Sequence, residues 1–291
     1  MVKFDGIYSA LYSVYDQDMN VKKDTVHGLM NYQRDRGLAG FYVGGNSGEC
    51  TILPNKTRIQ MLEAVMENKK DSKIIAHIGA GHFDDTVELV QHADKCGVDA
   101  IASLPPSLTS YYKNDEVVEY YRRLAAMTDK PVIAYITGVF KGDVVDFAQK
   151  LMAIDNCVGL KLSIPDYFSF EKLRAFNGEM NLLNGPDETL LAGLAMGANG
   201  AIGTSYNILP EVAVKAYNEF RAGNVAEAFK AQKKLNHVID FALGGSGLQY
   251  WKAYMEVFGF DMGYTAFPAK PVTPEQMKDI EENLRQIELM D

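Results

Sequence analysis

The sequence predicts an α/β protein, a (β/α)8 (TIM) barrel with a C-terminal helical extension. Three segments share one pattern, in which a helical run is closed by glycine and followed at once by an apolar strand: residues 36–43, 96–102 and 196–202. Glycine adopts the left-handed conformation that ends a helix. The strands are apolar on both faces, which is typical of a parallel sheet covered by helices.

Five further apolar runs bring the number of predicted strands to eight. Helical stretches lie between them, such as residues 84–96, where apolar side chains recur at helical spacing opposite acidic ones. Eight alternations by about residue 210 favour a barrel over its structural rival, an open doubly wound sheet. The five runs are residues 7–14, 73–78, 131–136, 158–162 and 182–183.

After Pro210 the pattern predicts helices only, over residues 211–222, 225–243, 248–257 and 274–290. We therefore expect a barrel carrying the catalytic site in residues 1–210. Residues 211–291 are expected to pack on it as part of one structural unit. Their amphipathic faces could cover the barrel or a neighbouring subunit, and packing on the barrel is the simpler interpretation.

Charge and composition narrow the class of partner. Lysine and arginine total 29 against 38 aspartates and glutamates, and no basic block is present, so nucleic acid is not an expected partner. An anionic small molecule stays compatible with this charge, because salt screens the overall field within about 8 to 10 Å. Asp5 and Gly6 stand where a secretory signal needs an apolar run, and no later stretch is long enough to span a bilayer.

The cysteines indicate a reducing compartment. Cys50, Cys96 and Cys157 are odd in number and far apart, which fits reduced packing residues better than a disulfide framework or a metal site. The expectation is a cytoplasmic protein without membrane contact. His77 and His82 lack a clear acidic ligand pattern and are expected to be packing or loop residues, so no metal is predicted.

Lys161 is the first candidate for chemistry, because reactive residues of such barrels sit at the C-terminal ends of strands. It lies in the apolar run Val-Gly-Leu-Lys-Leu-Ser. Burial favours the neutral form of an amine, and a neutral amine can attack a ketone to form an iminium, an electron sink for carbon–carbon cleavage. The alternatives are a lysine whose head reaches solvent, or one that pairs with an acid such as Asp187.

Tyr135 ends the strand predicted to lie beside that of Lys161. Neighbouring strands are about 4.8 Å apart, so the phenol could reach the same substrate and transfer a proton. The alternative is a structural tyrosine, one of sixteen in the chain, whose hydroxyl simply finds a hydrogen-bond partner.

Two further strand ends carry polar groups. The loop Gly44–Glu49 lacks the lysine of a phosphate-binding loop and the dinucleotide fingerprint, but its backbone N–H groups and the Ser47 hydroxyl suit a carboxylate. A plain tight turn is the alternative. Asp187 and Glu188 follow another strand and could accept hydrogen bonds from sugar hydroxyls, or could cap the helix that follows.

These residues in this order resemble the N-acetylneuraminate lyase and dihydrodipicolinate synthase superfamily, over almost the whole chain. The loop Gly44–Glu49 is similar to the family's Gly-Gly-Ser/Thr-Thr-Gly-Glu carboxylate loop. Tyr135 resembles its proton-shuttling tyrosine, and Gly159-Leu-Lys161 resembles its Schiff-base strand. Asn46 stands in place of the usual hydroxyl residue, and Tyr135-Ile-Thr-Gly replaces the usual Tyr-Asn-x-Pro, so the loop beside the tyrosine is expected to differ in shape.

Within the superfamily, the segments Asn184–Glu188 and Gly200–Asn207 look like those of the sialic acid lyases. The resemblance implies catalysis by Lys161 and Tyr135 without a cofactor. Dihydrodipicolinate synthases usually carry an arginine five residues after the tyrosine, where this chain has Phe140, which argues against that activity. The substrate-binding residues that we expect are Asn46, Ser47, Ser163, Gly185, Asp187, Glu188 and Thr204.

The implied activity is reversible Schiff-base cleavage of a sialic acid to pyruvate and an amino sugar. The alternatives are another pyruvate-dependent aldolase acting on a shorter 2-keto-3-deoxy sugar acid and, more remotely, a non-catalytic ligand-sensing barrel. Tyr111 and Tyr112 resemble a tyrosine pair that reaches a neighbouring subunit, which implies a homotetramer built from tight dimers.

Overall fold

The computed structural model describes residues 2–106, 112–245 and 247–290. Its strands β1 to β8 form a closed barrel in chain order, with each strand parallel to its neighbours. This confirms the predicted (β/α)8 barrel and excludes the open sheet. The strands are β1 Gly6–Ala10, β2 Gly40–Val43, β3 Lys73–His77, β4 Ala100–Ser103, β5 Val132–Thr137, β6 Cys157–Ser163, β7 Asn181–Asn184 and β8 Gly200–Gly203.

Helices alternate with these strands and cover the outside of the barrel. They are α1 Lys23–Arg34, α2 Asn55–Glu67, α3 Phe83–Cys96, α4 Asn114–Ala125, α5 Val144–Leu151, α6 Tyr167–Phe176, α7 Leu190–Ala195 and α8 Pro210–Arg221. The helices α9 Val225–Leu243, α10 Leu248–Val257 and α11 Pro274–Glu288 follow.

The predicted C-terminal extension is helical and packs on the barrel. Helix α8 lies against β1, α9 packs against α8 and the turn at residues 187–189, and α11 contacts α9 and α10. The division of the chain at residue 210 stays a prediction. No helix in the described part of the chain is both long and apolar enough to cross a membrane.

The first strand is shorter than the apolar run predicts. β1 ends at Ala10, although Leu11 and Val14 remain buried. The Leu11 N–H still donates to the Tyr42 carbonyl at 2.9 Å, after which the chain leaves the sheet. An apolar run indicates that its residues are buried, but it does not show whether they form a strand. Here the residues after β1 form a buried loop above the barrel.

The barrel interior is a packed core with a polar upper end. Large side chains fill its lower part, among them Tyr8, Ile133 and Ile202, so the barrel is not a pore. Towards the C-terminal ends of the strands the inward positions become polar, with His77 and Lys161 both buried there. The fold therefore places the candidate site at this mouth, closed from below.

Candidate active site

Lys161 lies inside the barrel mouth in register with Tyr135. The two residues are direct partners on the neighbouring strands β6 and β5, as the sequence predicts. Lys161 is 5% exposed, and its Nζ lies 4.0 Å from the centroid of the Tyr135 ring and 4.5 Å from that of Tyr42. The amine is therefore held between two aromatic faces, within the distance at which a cation interacts with a ring.

The structure does not support the two alternatives for Lys161, a side chain that reaches solvent or one that pairs with an acid. A lysine whose head reaches solvent would be exposed, and this one is buried. Over residues 2–106, 112–245 and 247–290, no ion pair involves Lys161, including with Asp187. A buried amine without a carboxylate beside it keeps its nitrogen available to a substrate carbonyl.

Tyr135 has its ring fixed and its hydroxyl beside a second strand. The ring makes edge contacts with Tyr42 and His77, at centroid distances of 6.2 and 6.5 Å. The Ser163 hydroxyl donates to the Tyr135 oxygen at 3.4 Å, across from β6. One face of β5 and β6 thus carries an amine, a phenol and an alcohol.

The turn after Tyr135 directs the next aromatic side chain into the core. The Phe140 N–H donates to the Thr137 carbonyl at 3.0 Å. Phe140 is buried and packs against Phe147, with ring centroids 5.3 Å apart. The position at which a second substrate carboxylate would need an arginine is therefore part of the apolar core.

The loop Gly44–Glu49 brings Ser47 to the mouth. Residues 46–48 form one turn of 3-10 helix, and an ideal Cβ on Gly45 would lie 2.3 Å from the Tyr42 ring, so only glycine fits there. Ser47 is buried, and its hydroxyl lies 2.7 Å from that of Thr204 at the end of β8. The structure thus brings together Ser47 and Thr204, which are 157 positions apart in the chain.

Asn46, next to Ser47, is in a different environment. It is exposed, accepts a hydrogen bond from the Cys50 thiol, and lines a cavity of about 590 Å³ between the loop and residues 265–270. Neither Lys161 nor Tyr135 lines that cavity. The contact of Asn46 with substrate stays a prediction.

The two adjacent acids occupy different environments. Asp187 is buried and accepts the Ser205 N–H at 2.5 Å, whereas Glu188 is exposed. Burial, more than any neighbouring charge, raises the pKa of Asp187 to about 6. The capping alternative is not what the structure shows, because α7 has Thr189 at its N-cap without a side-chain cap.

The remaining predicted residues surround this arrangement. The Gly185 N–H donates to the Leu162 carbonyl at 2.8 Å, and an ideal Cβ on Gly185 would lie 2.0 Å from the Ser163 hydroxyl oxygen, which only glycine avoids. Tyr112 is exposed just before α4. Tyr111 lies outside the described residues.

Several supporting residues were not predicted from the sequence. Tyr42 forms one aromatic face against Lys161. The Gln232 amide on α9 donates to the Asp187 carbonyl at 3.0 Å. Although it is 45 positions away in the chain, it thus supports the turn that carries Asp187 and Glu188. His77 was expected only as a packing residue, which it is, but it also fixes the neighbouring loop.

His77 is kept neutral. Burial, then the charges of Arg58 and Lys161, hold the pKa of its imidazole well below the usual range. Its Nε2 lies 3.1 Å from the Leu104 N–H and accepts from it. A neutral ring therefore anchors the chain where it leaves β4.

Fold and site together define a (β/α)8-barrel protein with a buried amine beside a phenol at the C-terminal ends of the strands, where such barrels carry their active sites. These two groups suit Schiff-base chemistry. The sequence model of the Dihydrodipicolinate synthetase family matches residues 3–287. The chain belongs to that family, which confirms the resemblance seen in the sequence.

Named relatives narrow the comparison. The chain is 31% identical over 283 residues to the N-acetylneuraminate lyase of Rhizobium meliloti (strain 1021), covering 97% of this chain and 94% of that one. The solved sialic acid aldolase of Ruminococcus gnavus has a TM-score of 0.91 and 29% identity, covering 98% and 97%. A Clostridium difficile protein solved in complex with mannosamine has a TM-score of 0.92 and 27% identity, covering 98% and 100%.

Proposed function

We propose that this chain is a Schiff-base aldolase that cleaves N-acetylneuraminate reversibly to N-acetylmannosamine and pyruvate. The proposal rests on the position of Lys161. Its amine is buried, forms no ion pair among the residues that the structure describes, and lies in register with Tyr135. Its setting in a chain 31% identical to an N-acetylneuraminate lyase supports this substrate.

The chemistry follows from the groups at the mouth. The Lys161 amine attacks the C2 ketone of the open-chain sugar acid and loses water to give an iminium. Ser47 and nearby backbone N–H groups hold the C1 carboxylate. Tyr135 relays a proton: its phenol oxygen accepts the proton of the C4 hydroxyl and gives up its own, and the proton released ends on C3 of the enamine. The C3–C4 electrons move to the iminium, the amino sugar departs, and protonation and hydrolysis of the enamine release pyruvate. The iminium is the electron sink, so this scheme requires neither a metal nor a dissociable cofactor.

The sugar tail is assigned to the acids beyond β7. Buried Asp187 and exposed Glu188 lie in successive positions, so one accepts a hydroxyl inside the mouth and the other at its rim. Gly185, Ser163 and Thr204 complete the assigned sugar-binding surface. Ser163 already contacts Tyr135, and Thr204 contacts Ser47.

Sugar binding should depend on pH through Asp187. An ionised carboxylate accepts hydroxyl hydrogen bonds more strongly than the protonated acid does, and burial raises the pKa of Asp187 to about 6. At pH 5 one site in about ten is ionised, so kcat/KM for N-acetylneuraminate should fall about tenfold from its plateau above pH 7. A pH profile of initial rates measures this effect.

Asp187→Asn is the matched variant for that profile. It should lower kcat/KM at neutral pH and remove the acid limb near pH 6, because the amide does not titrate. An unchanged acid limb in this variant would assign the titration to another group.

A substrate panel separates the proposed sugar acid from shorter ones. N-acetylneuraminate should give the highest kcat/KM for pyruvate release among 2-keto sugar acids of six to nine carbons, because the two acids select a hydroxylated tail. A six-carbon 2-keto-3-deoxy acid that is cleaved far better, with sialate barely cleaved, would show that Asp187 and Glu188 do not hold a sugar tail.

Assembly and compartment complete the proposal. We assign a homotetramer built from tight dimers on the resemblance of Tyr111 and Tyr112 to the family's intersubunit pair, and Tyr112 is exposed as that role requires. A cytoplasmic location is supported by Cys50, Cys96 and Cys157, which are free thiols.

A further inference from the structure

Glu49 ends the carboxylate loop in an unfavourable backbone conformation. Its φ of 61° is in the left-handed region, which non-glycine residues seldom adopt. It follows Ser47 by two residues, and its N–H donates to the Asn46 carbonyl at 3.0 Å. Such a conformation persists where surrounding contacts impose it, and the Glu49 side chain makes contacts of this kind.

The Glu49 carboxylate is held by three donors from outside the loop. Lys252 Nζ on α10 lies 2.7 Å from one oxygen, while the Tyr15 hydroxyl and the Ala266 N–H lie 2.5 and 3.3 Å from the other. Lys252 also donates to the Tyr264 carbonyl at 3.0 Å. The carboxylate therefore joins the loop to the segment after β1, to α10 and to the chain that follows α10.

This ion pair is withdrawn from water, with side-chain exposures of 2% for Glu49 and 3% for Lys252. Burial lowers the pKa of Lys252 despite the carboxylate beside it, which shows that desolvation is substantial. Apolar residues of similar volume would often stabilise a fold equally well. Stability alone therefore does not account for the pair, whereas its directional hydrogen bonds fix a geometry that apolar contacts would not.

Three successive residues of the loop are fixed by three different parts of the fold. The Ser47 hydroxyl contacts Thr204 beyond β8 at 2.7 Å. The Gly48 carbonyl accepts from the Ser13 hydroxyl at 2.9 Å. Glu49 is bound to α10 and its following segment. The position of the Ser47 hydroxyl is thus set from both sides, by the barrel and by the C-terminal helices.

We propose that Glu49 and Lys252 are positioning residues, whose buried ion pair holds the loop so that Ser47 and its neighbouring N–H groups meet the carboxylate of a 2-keto acid. This inference rests on the proposed function. It makes the C-terminal helices part of the catalytic apparatus, since α10 supplies a charge that acts through the loop without touching the substrate.

The double variant Glu49→Gln/Lys252→Met tests this role, because it removes both charges at once and leaves no unpaired buried ion. It should unfold cooperatively and still form a borohydride-trapped pyruvate adduct on Lys161. Its KM for N-acetylneuraminate and the pyruvate concentration that half-saturates trapping should rise about 10- to 100-fold, the effect of misplaced binding groups. Because the chemical groups remain, kcat should stay close to that of the wild type.

A second ion pair provides the control. Lys22 at the start of α1 pairs with Asp261 after α10, with side-chain exposures of 27% and 76%, and does not contact the loop. Lys22→Met/Asp261→Asn should keep the wild-type KM.

The possible results separate the two proposals. A Glu49→Gln/Lys252→Met variant with wild-type KM and wild-type trapping, or with kcat lowered at constant KM, would overturn the positioning role alone. A wild-type protein that forms no adduct with pyruvate would overturn the proposed function.

Discussion

Lys161→Ala is expected to lower kcat for pyruvate release by about 10⁴-fold or more, since the nucleophile that forms the covalent intermediate is lost. Borohydride reduction in the presence of pyruvate should add a mass to the wild-type peptide that contains Lys161, and should add none in the variant. The measurement is a coupled assay of pyruvate release together with mass spectrometry of the trapped protein.

Lys141→Ala is the matched control, because Lys141 is an exposed lysine just beyond β5 whose Nζ donates to the Gly138 carbonyl. Its adduct and activity should equal those of the wild type. Trapping that persists in Lys161→Ala would move the Schiff base to another amine.

Tyr135→Phe is expected to lower kcat for sialic acid cleavage by about 10²- to 10⁴-fold, the range for loss of a positioned proton-transfer group. The ring stays, so its contacts with Tyr42 and His77 and its face towards Lys161 remain. Adduct formation with pyruvate should therefore survive while cleavage is lost. Stopped-flow trapping measures the first and steady-state pyruvate release the second.

Tyr217→Phe removes a comparable hydroxyl, which donates to the Asn199 carbonyl at 3.0 Å, at the opposite end of the barrel. It should leave both rates unchanged. Cleavage by Tyr135→Phe within tenfold of the wild type would assign the proton transfer elsewhere.

The sequence predicts well what depends on consecutive elements. Eight alternations of strand and helix imply a barrel, and consecutive strands of a barrel are neighbours, so the pairing of Tyr135 with Lys161 follows directly. The exact end of β1 does not follow, because Leu11 and Val14 are as buried in a loop as they would be in a strand.

Contacts between residues far apart in the chain could not be predicted from the sequence pattern. Ser47 and Thr204 are 157 positions apart, and Glu49 and Lys252 are 203 apart. No periodicity encodes such pairs, because they depend on how the loops fold back over the mouth. The different environments of Asp187 and Glu188 likewise arise from the turn after β7 and its support by Gln232, not from their adjacency.

The packed core below Lys161 has a consequence for the order in which substrate binds and products leave. Tyr8, Ile133 and Ile202 fill the barrel below the amine, so reactants approach Lys161 from the mouth of the barrel. The keto-acid end must travel inwards first and the sugar end stays outermost, so after bond scission the sugar fragment leaves before the three-carbon piece. In the synthetic direction we expect the reverse order, in which the small keto acid binds before the amino sugar.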